Sequence, residues 1–119
     1  MKKKLCIIDD EPLITKYLSV TLSKYYEVKT FSDPITFIEY LNSAKTDYVL
    51  CDYKMEGLNG VEVLSEIITN NLIENYQQNF CFMTAYESAE LLSSLKNSGC
   101  RTIRKSEIAN ISAGDIFIQ

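Results

Sequence analysis

The stretch Leu5-Cys6-Ile7-Ile8-Asp9-Asp10-Glu11-Pro12 decides how the rest of this chain is read. Four apolar residues in a row are what a short strand buried on both faces requires. Two aspartates stop that strand at once. Pro12 then opens a helix, because proline has its φ preset for a first helical turn. Ile14, Tyr17, Leu18, Thr21 and Leu22 follow at the spacing of one helix face.

Outward from this unit the same pattern repeats. Residues 28–31 read as a second strand, and Ser32-Asp33-Pro34 opens a helix carrying Ile35, Ile38 and Leu41. Residues 48–51 form a third buried strand that ends at Asp52. Gly57 and Gly60 punctuate the loop before a helix marked by Val63, Leu64, Ile67 and Ile68. A polar connection, residues 70–79, leads to a fourth strand at 80–83, ending at Thr84. Ala89, Leu91, Leu92 and Leu95 mark a further helix that Gly99 terminates. Residues 101–103 read as a short, polar edge strand. Beyond it Ile108 and Ile111 give one helical pair before Gly114, and residues 115–118 look extended. Strands alternating with helical stripes predict an α/β fold with a parallel sheet. Right-handed crossovers then bring all the strand C-termini to one rim, where open α/β sheets bind ligands.

Composition narrows the chemistry. The chain has 119 residues, 46% of them hydrophobic and 24% charged, as expected of one ordinary globular domain. We expect a single domain over residues 1–119, either entire or the N-terminal part of a longer protein. There is no histidine, which excludes Ser-His-Asp and Cys-His nucleophiles and His-ligated zinc. The net charge of −4 speaks against a nucleic-acid binder. Lys2, Lys3 and Lys4 precede an apolar run too short for a signal peptide, and no run is long enough to span a membrane. A cytoplasmic location is expected. Cys6, Cys51, Cys81 and Cys100 lack metal or redox spacing and read as reduced, mostly buried thiols.

The polar residues at the strand ends then form a constellation. Intervals of 42, 32 and 21 residues separate Asp10, Asp52, Thr84 and Lys105 in turn, each fitting whole strand–helix units. Carboxylates converging at one rim either raise a pKa or recruit a cation. Without histidine, that cation should be hard and oxygen-loving, and Mg²⁺ fits. The Thr84 hydroxyl and the Lys105 ammonium are donors that suit an anion. Together these groups describe a phosphoryl pocket, with Asp52 as the natural nucleophile.

At this point the chain resembles the receiver domain of two-component response regulators. The resemblance rests on residues 7–12, on Asp52-Tyr53-Lys54-Met55-Glu56-Gly57-Leu58-Asn59-Gly60, on Met83-Thr84-Ala85 and on Lys105. It implies a flavodoxin-like, doubly wound five-stranded sheet of order 2-1-3-4-5. It implies that Asp52 accepts a phosphoryl group from a histidine kinase or histidine phosphotransfer protein. Asp10, Asp52 and the Lys54 backbone carbonyl would ligate Mg²⁺, with Asp9 acting mostly through a metal-bound water. Thr84 would bond a phosphoryl oxygen and move on activation, and Lys105 would pair with that oxygen or with Asp52. Lys54 and Tyr86 would tune dephosphorylation, and a downstream output protein or domain would read the switch. No enzymatic turnover beyond this self-chemistry is implied, nor any membrane or nucleic-acid partner.

Four features depart from the family pattern. Glu56 and Ser106 stand where prolines are usual. Thr102 occupies the switch position usually held by Tyr or Phe, and the segment from Gly99 to Lys105 is about one residue short. The last helix is atypical or shortened. These departures keep a second reading open, a receiver-like interaction module that works without phosphorylation. A flavin-binding or phosphatase enzyme is a third. The acidic loop after the first strand opposes a flavin phosphate, and Lys54 stands where a phosphatase usually has an acid/base Asp.

Overall fold

The computed structural model describes residues 2–85, 88–110, 116 and 117. Five strands form one parallel sheet: β1 (Lys3–Ile8), β2 (Tyr26–Phe31), β3 (Tyr48–Asp52), β4 (Phe80–Thr84) and β5 (Arg101–Arg104). Their order is β2-β1-β3-β4-β5, as the family resemblance implied. The helices are α1 (Pro12–Leu22), α2 (Pro34–Leu41), α3 (Gly60–Thr69), the single turn α4 (Tyr76–Asn79) and α5 (Ala89–Lys96). A 3₁₀ helix (Lys105–Asn110) follows β5. None of the helices among the described residues is long and apolar enough to cross a membrane.

Between the exposed Lys3 and Lys4 at the start of β1 and the polar residues Asp52 and Thr84 that end β3 and β4, the central strands are apolar because both faces are covered. Cys6, Ile8, Val49, Cys51, Phe80 and Phe82 pack on one side with α2, α3 and α5. Leu5, Ile7, Leu50, Cys81 and Met83 pack on the other with Leu18 and Leu22 of α1. All four cysteines are free and buried; the apolar flanks of Cys6, Cys51 and Cys81 predict this, and Cys100, between Gly99 and Arg101, is buried without them. Burial, only partly offset by the nearby Arg101 charge, pushes the Cys81 thiol up to about 12, which keeps it protonated.

Local signals start the helices where expected. Asp33 caps α2 by accepting from the Ile35 and Thr36 amides. Asn59 and Glu62 form a reciprocal capping box on α3. Gly99 leaves α5 with φ of +81°, the left-handed conformation that favours glycine.

The apolar stripes need three corrections. Ile35 of α2 and Ile68 of α3 point outward, 47% and 46% exposed, and Phe37 fills the core instead. On α1, Tyr17 is 43% exposed while Leu18 and Leu22 are fully buried. In each case one helix turn offers more apolar residues than the narrow contact with the sheet can cover. The polar connection contains the turn α4, and Ile73 beside it is buried. Near the C-terminus, Ile116 has helical backbone rather than the extended form expected of 115–118. Ile116 and Phe117 are buried on the α1 side, where Phe117 stacks on Tyr48 with ring centroids 4.6 Å apart. That packing opportunity does not show in local spacing.

Candidate functional site

Strand ends position the polar groups. The Asp9 amide donates to the Phe31 carbonyl at 3.1 Å, so the β1–β2 ladder carries on through the first aspartate. Asp52 is the last residue of β3 and pairs in register with Met83, one residue before Thr84. Arg104 lies opposite Thr84, which brings the next residue, Lys105, over the rim. Asp9, Asp52 and Thr84 are the buried polar side chains of the described chain, at 0%, 4% and 1% exposure.

Gly60 sets how closely the following helix approaches. A Cβ there would stand 2.9 Å from the Asp52 carbonyl oxygen and 3.1 Å from the Tyr53 Cα. The Gly60 amide donates to the Tyr53 carbonyl at 2.7 Å. A side chain at this position would therefore push α3 off the strand end that carries Asp52.

Lys105 reaches into the cluster. Its Nζ lies 2.9 Å from Asp9 Oδ2, 2.8 Å from Glu11 Oε1 and 3.2 Å from Asp52 Oδ2. Carboxylate oxygens of Asp9, Asp10 and Asp52 all lie within 4.8 Å of one another. Burial, then the Asp9 charge, push the Asp52 carboxyl up to about 7, although Lys105 pulls the other way. Burial opposes the charge on Lys105. Its bonds to Glu11 and Asp9 and the Asp52 charge outweigh this and hold the ammonium above its ordinary range.

A divalent cation fits this donor set. Three carboxylates at one point, with one ammonium nearby, leave negative charge uncompensated, and every donor is a hard oxygen.

The structure thus brings together Asp9, Asp10, Asp52 and Lys105, and places Thr84 at the adjoining strand end. Lys54 follows in the bend after β3 with its side chain exposed. Tyr86 lies outside the described residues. Thr102 sits opposite Phe82 in β5, and its Oγ1 is buried without a hydrogen-bond partner. Glu11 was not singled out from the sequence, where nothing local distinguishes it from any solvated glutamate at a helix start. Its side chain does not cap α1; it goes to Lys105 instead.

An open, doubly wound sheet with its polar residues gathered at the strand C-termini defines the flavodoxin-like class of α/β proteins. Residues 5–107 match the family model of the response regulator receiver domain, and the chain belongs to that family. Receiver domains are signalling modules of two-component systems. The chain is 26% identical over 105 residues to the sporulation initiation phosphotransferase F of Bacillus subtilis (strain 168), covering 86% of this chain and 80% of the relative. It is also 26% identical over 74 residues to hybrid signal transduction histidine kinase D of Dictyostelium discoideum. That match covers 62% of this chain and only 5% of the kinase's length. Among solved structures, the response regulator TrrA of Thermotoga maritima, in complex with Mg²⁺ and BeF, superposes with a TM-score of 0.72. It is 27% identical, and the match covers 88% of this chain and 87% of that one.

Proposed function

We propose that this domain is a phosphoryl acceptor in a phosphorelay, with Asp52 as the accepting residue. One observation carries the reading: a buried carboxylate at a strand end lies 3.2 Å from an ammonium and within 4.8 Å of two further carboxylates. A buried Asp52 with no chemical task would be an unfavourable charge that nothing in the fold requires. That favours the acceptor over the phosphorylation-independent module.

Asp10, Asp52 and the Lys54 carbonyl would hold Mg²⁺, with Asp9 acting through a bound water. The cation supplies charge neutralisation that lets an anionic carboxylate meet an anionic phosphoryl group. An Asp52 oxygen forms a bond to phosphorus while the P–N bond of a phosphohistidine breaks. The leaving imidazole keeps the electron pair and takes up a proton. Lys105 donates to the phosphoryl group, and the Thr84 hydroxyl donates to another of its oxygens. Hydrolysis of the acyl phosphate returns free Asp52, and Lys54 and Tyr86, two residues after the acceptor and the threonine in sequence, would tune that rate. With no histidine among these 119 residues, the phosphoryl donor lies outside them: a phosphohistidine on a histidine kinase, a phosphotransfer protein or another part of a longer chain, or a small acyl phosphate. The reaction belongs to the cytoplasm, and an output protein or domain would read the result.

The test is incubation with acetyl phosphate and Mg²⁺, followed by intact mass. A gain of one phosphoryl group is expected for wild type and none for Asp52→Asn. An unchanged signal in that variant would refute the assignment.

A further inference from the structure

Lys105 is surrounded by carboxylates. An ammonium has three N–H donors, and Glu11, Asp9 and Asp52 stand 2.8, 2.9 and 3.2 Å from its nitrogen. A phosphoryl oxygen arriving at Asp52 competes with these carboxylates for the ammonium, and of the three contacts the one to Glu11 has the geometry of a hydrogen bond.

Burial decides which carboxylate gives way. The Asp9 side chain is 0% exposed and that of Asp52 is 5%, whereas Glu11 is 59% exposed. Taking Lys105 from Asp9 would strand a buried charge. Taking it from Glu11 releases a carboxylate into water, which costs far less. Nor does the fold need the Glu11 side chain elsewhere. It stands at the N-cap of α1 without capping it, and its backbone amide is already held by Asp9 Oδ1 at 2.9 Å. Its contact with Lys105 joins residues 94 positions apart in sequence, the start of α1 and the end of β5.

We propose that Glu11 is a latch: it holds Lys105 while Asp52 is free, and it is the partner that an incoming phosphoryl group displaces. This rests on Asp52 being the acceptor. Glu11 is a positioning residue, acting through Lys105. It competes with the phosphoryl group, so weakening the latch tightens anion binding. Structural damage would do the reverse.

Beryllofluoride is titrated calorimetrically into wild type, Glu11→Gln and Glu11→Asp at saturating Mg²⁺. Gln removes the charge. Asp keeps the charge but is one methylene too short to reach Lys105. Both variants should bind roughly 1.5-fold to fivefold more tightly than wild type, the range for a partly exposed ion pair. Tightening in Gln with wild-type affinity in Asp would mean a general charge effect and would overturn the latch. Unchanged or weaker binding in both would overturn it too. If wild type itself binds no beryllofluoride, the acceptor reading falls and the latch with it. If wild type binds and the variants do not tighten, only the latch falls.

Discussion

Asp52 has a carboxyl pushed up to about 7 in a fold whose unfolded chain would leave it near 3.8. The folded state therefore binds this proton more tightly than the unfolded state. The stability it contributes is fully present below about pH 4 and is lost as pH rises through about 7. Asp52→Asn removes that loss. In metal-free buffer the variant should exceed wild type in stability by about 1–2 kcal/mol at pH 8, water at the open rim screening part of the charge. The advantage should vanish near pH 4. Urea midpoints across this range check it, and a constant difference at every pH would contradict it. Thr102 permits a second test. Its buried Oγ1 has no partner, so Thr102→Val should raise stability by about 1 kcal/mol, read from the same midpoints. A loss would show that the hydroxyl is satisfied. At this scale the sequence was informative about residue type but not about partnership. The aspartates and Lys105 could be named from strand ends, yet nothing local shows that Glu11 turns away from its own helix.

Among the elements, α3 is the one on which the site depends. Its capping box, Asn59 with Glu62, is readable from spacing alone. The role of its first residue is not. Gly60→Ala would place a methyl 2.9 Å from the Asp52 carbonyl and 3.1 Å from both Tyr53 Cα and Phe82 Cδ1. Backbone on two sides cannot yield cheaply. A cost of about 1–3 kcal/mol is expected, as for overpacking generally. Because the shift falls on the strand end, beryllofluoride affinity at Asp52 should drop as well. Thermal melts together with titration check both. A stable variant with wild-type affinity would show that α3 can retreat without cost. Helical spacing was also too generous for α1, α2 and α3. Tyr17, Ile35 and Ile68 fit the periodic stripe but lie outside it, and Leu13 and Val20 are 81% and 70% exposed. Period selects a face; the width of the sheet beneath decides how much of that face is covered.

For the whole molecule, the cation and the fold are linked. A ligand that binds only the native state stabilises it by RT times the logarithm of one plus the ratio of free ligand to Kd, about 2.7 kcal/mol at a hundredfold excess over Kd. Mg²⁺ should therefore raise the melting temperature. The rise should be larger at pH 8 than at pH 6, because at the lower pH Asp52 must first lose its proton. An equal rise at both pH values would mean that Asp52 is not among the ligands.

The order of strands and helices, the buried character of β1, β3 and β4, and the residues at their ends followed from local pattern. Apolar runs and caps act over a few residues, and so the amino-acid order alone is enough to place them. The convergence of Asp10, Asp52 and Lys105 needed one further rule, the handedness of crossovers, together with the family's motifs. Three features had no local signature: the clasp of Glu11 on Lys105, the closeness of Gly60 to the Asp52 carbonyl, and the seat of Phe117 against Tyr48. Each is a contact between segments far apart in the chain. Its energy exists only once the sheet has closed the distance.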